Sequence, residues 1–223
     1  MDRILFIGNS FTYFNDMPSI FSALCDGAGI PVQVESVVKG GWYLSRYADP
    51  DNEMHPAILE AAKQEWDYVI LQDQSLNPAV NKEDFLAAAR KLASMFTCRK
   101  KLVFYQTWAY EEGSDRLKSL MGYSCQADMF KDVKEAYNKA KSLISADKII
   151  KSGELFQLLI KEGISPVHRD TFHASYGIGR YALALLWYKQ LTGNDVIDNA
   201  FSDFDEEICK CDIQNIKECV MKI

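Results

Sequence analysis

Short apolar runs alternate with longer amphipathic stretches along the 223 residues of the chain. The runs are rich in Ile, Val and Phe, as buried parallel strands are, and they lie at 3–7, 32–38, 67–71, 101–105 and 147–150. Apolar residues spaced for one helix face predict helices at 17–27, 56–64, 82–96, 125–144, 154–162 and 175–191. This alternation predicts an α/β fold in which a parallel sheet is covered on both faces. Ligands bind such sheets at the edge formed by the carboxyl ends of the strands.

A single domain over residues 1–223 is the organisation that the pattern favours, because the chain has no internal repeat, low-complexity segment or Pro/Ser-rich linker. The tail at about 194–223 is acidic at 203–207 and then amphipathic. It predicts a closing helix packed on the domain.

Charge narrows the choice of partners. The chain has 25 basic and 31 acidic residues and a net charge of −6, which argues against nucleic acid or an anionic membrane surface as the main partner. No apolar run reaches the roughly 18 residues that a membrane span needs. The first residues lack a basic n-region, an h-region and a cleavage site. We therefore expect a cytoplasmic protein, or a periplasmic or secreted one if a signal peptide has been removed, with its oligomeric state left open.

The six cysteines are scattered and form no Cys-x-x-Cys pair, so we expect reduced thiols. Cys209, Cys211 and Cys219 could in principle bind zinc. No histidine lies near them and their spacing fits no familiar zinc site, so no metal site is predicted.

The first candidate for chemistry is Ser10, in the segment 8–12 with the sequence Gly-Asn-Ser-Phe-Thr. A Gly-x-Ser turn between a buried strand and a helix places the serine at the ligand edge of the sheet. It also leaves backbone N–H groups near the helix start, where a developing anion is stabilised. The simpler interpretation is a serine that caps the helix, and this motif alone favours it.

The second candidate is the pair Asp170 and His173, which directly precedes the helix predicted at 175–191. A serine hydroxyl becomes a nucleophile when a base removes its proton, and histidine is the usual base near neutral pH. A carboxylate three residues before a histidine can orient the imidazole and stabilise the imidazolium. The alternative is a surface loop with a capping aspartate. The combination with Ser10 favours a catalytic triad.

Two further strand ends could complete a site. Gly41 follows the second strand and could supply a backbone N–H to an oxyanion hole, although a glycine in a turn with positive φ is an equally good interpretation. Gln72 and Gln74 follow the third strand and could add an amide donor. Gln72, Trp42 and Trp108 are the predicted substrate-binding residues, although ordinary core packing is the alternative for each ring.

These segments together resemble the SGNH (GDSL-type) hydrolases, from about residue 4 to residue 193. Residues 8–12 resemble the nucleophile block, Gly41 the glycine block, and Asp170 with His173 the terminal block. The chain is similar in particular to a mainly bacterial branch with Gly-Asn-Ser-Phe-Thr and Leu-Gln-x-Gln-Ser signatures. The resemblance implies a three-layer, flavodoxin-like α/β/α fold with a five-stranded parallel sheet. It also implies ester hydrolysis without a metal or organic cofactor.

The chain departs from the family pattern twice. Asn9 replaces the common aspartate before the serine, which we expect to do little harm because this residue mainly shapes the turn. The Gly-x-Asn-Asp block is absent, and residues 72–75 stand in its place. Gln74 is the predicted replacement donor to the oxyanion hole, followed by Gln72 and then Asn77.

The predicted function is hydrolysis of a small acyl ester, such as an O-acetyl group on a carbohydrate. Ser10 acts as nucleophile, His173 as base and Asp170 as orienting carboxylate, with an oxyanion hole at Ser10, Gly41 and Gln74. One alternative is a binding module that holds a glycan or acyl ligand without turnover. Another is a flavodoxin-like nucleotide binder, but residues 8–12 lack the Gly and Lys spacing of a phosphate-binding loop.

Overall fold

The protein is described here from a computed structural model that covers residues 1–120, 122–201 and 206–223. Five strands form one parallel sheet in the order β2-β1-β3-β4-β5. The strands are β1 (Asp2–Gly8), β2 (Val32–Val38), β3 (Trp66–Leu71), β4 (Arg99–Tyr105) and β5 (Lys148–Ile150). All five predicted strands are present, and the predicted α/β fold class is confirmed.

Helices cover both faces of the sheet. They are α1 (Ser10–Tyr13), α2 (Met17–Gly27), α3 (Leu44–Ala48), α4 (His55–Ala62), α5 (Asn77–Val80), α6 (Lys82–Met95), α7 (Gln126–Ile144), α8 (Ser152–Lys161), α9 (Ile178–Thr192) and α10 (Lys210–Lys222). Helices α2, α8, α9 and α10 pack with one another in one layer, and α3, α5, α6 and α7 form the other. The six predicted helices correspond to α2, α4, α6, α7, α8 and α9, with ends displaced by up to three residues. The short helices α1, α3 and α5 carry too little periodic sequence to be predicted.

Aromatic rings in contact, stacked on one side and edge-on on the other, fill the core on each side of the sheet. On one side, Phe6 of β1 stacks on Trp187 of α9 with the ring centroids 4.4 Å apart. On the other side, Phe104 of β4 meets Phe85 of α6 and Tyr137 of α7, both at 5.8 Å. These contacts bury both faces of the central strands, which explains why their sequences are continuously apolar.

The order of the strands reverses between β1 and β3. The chain passes from β1 to β2 in one direction and then returns to place β3 on the other side of β1. A crevice at the carboxyl ends of β1 and β3 is the expected ligand position in a sheet of this topology.

The C-terminal tail closes the α9 side. Helix α10 packs on α8 and α9, and Lys217 donates to the carbonyl oxygens of Ile197 (2.7 Å) and Asn199 (2.8 Å). The predicted closing helix is therefore found, whereas most of the acidic stretch at 203–207 lies outside the described residues. No helix in the described part of the chain is long and apolar enough to cross a membrane.

Two of the cysteines are paired. Cys209 and Cys211 form a disulfide at the start of α10, so the expectation of six reduced thiols is wrong for this pair. A Cys-x-Cys spacing can bring the two Cα atoms to the separation that a disulfide bond spans. The Cα atoms of Cys209 and Cys211 are 5.4 Å apart. Together with Asp212 they form the one cluster of possible metal ligands among the described residues. The disulfide consumes both thiolates that a metal would need.

Candidate active site

The turn after β1 holds Ser10 at the crevice. Asn9 is the N-cap of α1, and its side-chain oxygen accepts a hydrogen bond from the N–H of Phe11 at 3.0 Å. Gly8 is required by close approach, because a Cβ there would lie 2.4 Å from Thr12 Oγ1 and 2.5 Å from Gln72 Oε1. The Ser10 N–H lies in the first turn of a helix, where it has no intrahelical partner. The turn therefore presents both the hydroxyl and a free donor at the same residue.

The amide of Gln72 fixes this turn to the end of β3. Its oxygen accepts hydrogen bonds from the N–H of Asn9 (3.0 Å) and from the hydroxyl of Thr12 (2.7 Å). Its NH₂ group donates to Asn9 Oδ1 (3.0 Å) and to the carbonyl oxygen of Asp73. Asn9 in turn donates to the carbonyl oxygen of Trp42 at 2.9 Å, which ties the turn to the segment after β2. An aspartate at position 9 could not make that donation, so the asparagine is a structural part of this site.

A continuous hydrogen-bonded chain links Ser10, His173 and Asp170. Ser10 Oγ lies 3.0 Å from His173 Nε2, and His173 Nδ1 lies 2.8 Å from Asp170 Oδ2. The other oxygen of Asp170 accepts the backbone N–H of His173 at 2.8 Å. The structure thus brings the three predicted catalytic residues together, across 163 positions of sequence. This is the geometry of a nucleophile, a base and an orienting carboxylate.

The loop that carries the base is anchored to the segment after β4. Trp108 Nε1 donates to the carbonyl oxygen of Phe172 at 2.8 Å. The N–H of Glu111 donates to the carbonyl oxygen of Thr171, also at 2.8 Å. His168 Nε2 lies 3.1 Å from the carbonyl oxygen of Ala109. Thr171 has a φ of 73°, which is unusual for a β-branched residue and turns the backbone so that His173 faces Ser10.

Burial and charge keep the His173 imidazole neutral. Burial lowers the pKa of His173 most, and the hydrogen bond and charge of Asp170 oppose that effect only in part. The positive charges of Arg169 and Arg116 lower the pKa of His173 further. Burial by itself would raise the pKa of Asp170, but the hydrogen bonds from His173 outweigh it and the pKa of Asp170 is lowered. A neutral imidazole beside an ionised carboxylate is the state that can accept the serine proton.

A cleft of about 220 Å³ opens at the hydroxyl of Ser10. Its lining residues are Asn9, Ser10, Phe11, Gly41, Gln74, Ser75, Phe172 and His173. Gly41 has a φ of 69°, so the turn after β2 does use the backbone freedom of glycine. The carbonyl oxygen of the Gln74 amide accepts the N–H of Leu76 at 2.7 Å, which leaves its NH₂ group as the donor. The three predicted oxyanion-hole residues therefore border one cleft.

Gln72 and Asn77 do not fit the roles predicted for them. Gln72 is 1% exposed and its amide is fully used by the turn, so it has no group left for a substrate. Asn77 is also buried, and its NH₂ group donates to Asp73 (2.7 Å) and Asp84 (2.8 Å). Sequence position placed these amides near the strand ends but did not show which polar groups were already paired.

The two tryptophans also lie outside the cleft lining. Trp108 is 1% exposed, and it packs on Phe11 with ring centroids 4.3 Å apart. Its contribution is the hydrogen bond that anchors the loop of the base. Trp42 is partly buried beneath Lys39, whose ammonium group lies 4.0 Å from the ring centroid. Trp108 borders a small second hollow of about 10 Å³ beside Ser10 and His173. Substrate binding by these rings stays a prediction, which the lining of the cleft does not support.

Asp73 is a structural residue that the sequence analysis did not single out. Its carboxylate is fully buried and accepts hydrogen bonds from the N–H groups of Leu44 (2.8 Å) and Gln74 (2.7 Å) and from Asn77. Burial raises the pKa of Asp73 to about 6, against the effect of these hydrogen bonds. The signal in the sequence was an acidic residue directly after a buried strand. Its function here is to hold the loops after β2 and β3 together.

A larger concavity of about 540 Å³ lies elsewhere, between the end of α2 and the segment after α9. None of the described residues that line it is a serine, a cysteine or a histidine. The site is therefore identified by the convergence of Ser10 and His173 and not by volume.

The sheet and the crevice at its carboxyl edge are those of the SGNH (GDSL-type) hydrolase fold, which confirms the fold that the resemblance implies. The chain belongs to the family described as "Domain of unknown function (DUF4886)", whose family model matches residues 52–216. The matched region contains Asp170 and His173 and begins after Ser10. No curated protein matches the sequence.

Solved structures support the same fold. A DUF4886 family protein from Bacteroides uniformis has a TM-score of 0.84 at 23% identity, over 99% of this chain and 93% of its own. A candidate SGNH hydrolase from Slackia heliotrinireducens has a TM-score of 0.73 at 24% identity, over 85% and 98%. An acetyl xylan esterase from Geobacillus stearothermophilus has a TM-score of 0.59 at 14% identity, over 91% and 97%.

Proposed function

We propose that this protein is a serine esterase that hydrolyses small acyl esters. The observation that carries the proposal is the chain Ser10 Oγ to His173 Nε2 (3.0 Å) and His173 Nδ1 to Asp170 Oδ2 (2.8 Å) at the floor of an open cleft. A hydrogen-bonded series of this kind has little structural purpose at a half-buried site. It supplies the base that a hydroxyl needs to become a nucleophile.

In the first step, the Ser10 oxygen attacks the ester carbonyl while His173 Nε2 takes the hydroxyl proton. The carbonyl oxygen becomes an oxyanion, which the N–H groups of Ser10 and Gly41 and the amide of Gln74 stabilise. The imidazolium is stabilised by Asp170. When the tetrahedral intermediate collapses, the alcohol leaves with the proton from His173 and the acyl group remains on Ser10.

In the second step, His173 takes a proton from water as the water oxygen attacks the acyl carbonyl. The same donors stabilise the second oxyanion. Collapse breaks the bond to Ser10, whose oxygen recovers its proton from His173, and the free carboxylic acid leaves. The ester and one water thus give one acid and one alcohol.

A short acyl group, such as acetyl, is the proposed substrate part that enters the cleft. A volume of about 220 Å³ lies below the roughly 300–1,000 Å³ of sites that enclose drug-sized ligands. The fold shared with an acetyl xylan esterase adds O-acetyl groups on carbohydrate as the class to test first.

Hydrolysis of p-nitrophenyl acetate by the wild type and by Ser10→Ala tests the proposal. We expect Ser10→Ala to lower kcat by more than about 10³-fold, because it removes the nucleophile. Ser94→Ala is the matched control, since Ser94 is exposed on α6 and donates only to the Lys91 carbonyl oxygen. Equal rates for the wild type and Ser10→Ala would contradict the proposal.

A fluorophosphonate probe gives a second, independent outcome. Labelling of the wild type at Ser10, found by peptide mass spectrometry and absent in Ser10→Ala, would support an activated serine. Absence of labelling in a protein that still binds an acetylated oligosaccharide would instead identify a binding module.

A further inference from the structure

An arginine lies against a ring of the cleft lining. Arg116 begins a π-helical turn, Arg116–Leu120, in the segment between β4 and α7. Its guanidinium carbon is 4.0 Å from the ring centroid of Phe172 and 5.9 Å from that of Tyr110. Phe172 lines the cleft, and the hydroxyl of Tyr110 is 2.8 Å from that of Ser75, which also lines it. Arg116 therefore contacts one residue of the cleft lining, Phe172, and reaches a second, Ser75, through Tyr110.

Arg116 has no carboxylate within ion-pair distance among the residues that the structure describes. Of the acidic residues near it in sequence, Asp115 and Glu111 are exposed and form no ion pair with Arg116. The carboxylate of Glu112 accepts the N–H of Gln126 at 2.6 Å. A guanidinium group is always charged, and partial burial without a counter-ion costs free energy. The cleft wall thus carries a positive charge that the fold does not neutralise, in a protein with a net charge of −6.

The other cations near the site have different partners. Arg169 donates to the hydroxyl of Tyr176 at 2.8 Å and lies 3.8 Å from Asp170. Lys39 forms an ion pair with Glu53. Arg46 lies over Trp42, which is not part of the cleft lining. Of these four cations, Arg116 is the one that lies on a cleft-lining ring without an anionic partner.

We propose that the cleft selects acyl esters that carry a carboxylate, and that Arg116 is the residue that binds this carboxylate. The inference rests on the proposed esterase function, which supplies the ester. The Phe172 ring and a hydrogen bond with the Tyr110 hydroxyl hold the guanidinium in place, and its remaining N–H groups are the donors offered to a ligand. Those groups match a carboxylate with two parallel hydrogen bonds. The substrate class is an O-acylated acidic sugar or hydroxy acid, because one guanidinium balances one carboxylate.

Two acetate esters that differ in one charge test this inference. They are 4-acetoxybenzoate and 4-acetoxybenzamide, which share the acyl group and the aromatic ring. We expect the wild type to favour the charged ester in kcat/KM by about tenfold or more, the factor expected for a charge-assisted hydrogen bond. Arg116→Gln should bring this ratio close to one, and Arg116→Lys should keep part of the preference. Arg90→Gln, at an exposed position of α6, is the matched control and should keep the full ratio.

The outcomes separate this inference from the proposed function. Hydrolysis of both esters with equal kcat/KM in the wild type would overturn the inference and leave the esterase proposal standing. An equal loss on both esters in Arg116→Gln would also overturn it, since a structural role affects both alike. If neither ester is hydrolysed, calorimetric titration of Ser10→Ala with each ester decides. Binding of the benzoate that depends on Arg116 supports the anion site, and equal binding of the two esters overturns it.

Discussion

Single side-chain amides determine how the nucleophile is presented. Asn9 both accepts and donates, and it connects the end of β1 to the turn that carries Gly41. Gln72 joins the same turn to β3 through three buried hydrogen bonds. Buried polar networks of this kind are rigid only if every member is paired. At the residue scale, then, the position of Ser10 depends on two neutral amides whose polar groups are already paired within the protein.

Gln72→Ala tests this interpretation. The substitution leaves the N–H of Asn9 and the hydroxyl of Thr12 without their acceptor, so we expect the free energy of unfolding to fall by about 3 kcal/mol. Urea denaturation followed by circular dichroism measures it. Gln214→Ala, at an exposed position of α10, should change stability by less than about 0.5 kcal/mol. An unchanged stability with a raised KM would instead restore the predicted substrate-binding role of Gln72.

The predicted residues that the structure brings together have chemistry that follows from residue type and position alone. Ser10, Asp170 and His173 stand at ends of elements, and their side chains have few structural uses in that combination. Gln72 and Trp108 were assigned to the substrate because polar or aromatic residues at the same edge suggest binding. Gln72 hydrogen-bonds to Asn9, and Trp108 hydrogen-bonds to the Phe172 carbonyl oxygen. Both contacts arise only in the folded protein, between residues far apart in sequence. The sequence does not contain them in any local pattern.

At the scale of an element, the loop before α9 is built to aim one imidazole. It pairs with the segment after β4 through backbone groups, and it contains one residue in the left-handed region, Thr171. Holding a β-branched residue in the left-handed region costs about 1–2 kcal/mol. The contacts around Thr171 must therefore contribute more free energy than this strain. The strain lies two residues from His173, at the point where the backbone turns toward Ser10.

Replacing Thr171 by glycine should stabilise the protein. The relieved strain of about 1–2 kcal/mol exceeds the roughly 0.5–1 kcal/mol entropic cost of a glycine, so the free energy of unfolding should rise by about 0.5 kcal/mol. Thermal unfolding monitored by calorimetry measures the change. Thr97→Gly is the control, because Thr97 is exposed and has no positive φ, and it should lower stability. Equal losses in both variants would show that Thr171 is not strained.

At the scale of the whole molecule, buried titrating groups make stability depend on pH. Burial lowers the pKa of His168 to about 4, against the opposing hydrogen bond to the Ala109 carbonyl oxygen. The unfolded chain binds a proton at this residue near pH 6.5, whereas the folded protein does so only near pH 4. Its contribution to stability is present above pH 6.5 and is lost as the pH falls. Asp73, with its raised pKa, acts in the opposite sense.

A comparison with His168→Gln isolates this effect, because Gln keeps an N–H donor and does not titrate. The wild type should lose stability relative to the variant as the pH falls from 6.5 to 4, by on the order of 3 kcal/mol in total. Urea denaturation of both proteins at pH 7, 6, 5 and 4 gives the difference, in which the Asp73 effect cancels. Parallel curves across this range would show that His168 titrates normally.

The sheet itself was predictable because the central strands β1 and β3 are buried and read as nearly continuous apolar runs. The edge strand β2 is only half-buried and keeps polar residues among its valines. The strand order reverses where the chain returns past β1, and the resemblance to a known fold supplied that order. The Cys209–Cys211 pairing was not predictable, because a cysteine pair carries no local signal for its oxidation state.

The nucleophile directly follows the first strand, and the base follows the fifth. A nascent chain that has emerged as far as residue 150 contains every strand of the sheet and the hydroxyl of Ser10, but no proton acceptor for it. Proton transfer becomes possible only when the loop at 168–175 has been synthesised and has docked on the segment after β4. Under the proposed function, the order of residues therefore delays the activation of Ser10 until most of the polypeptide has left the ribosome.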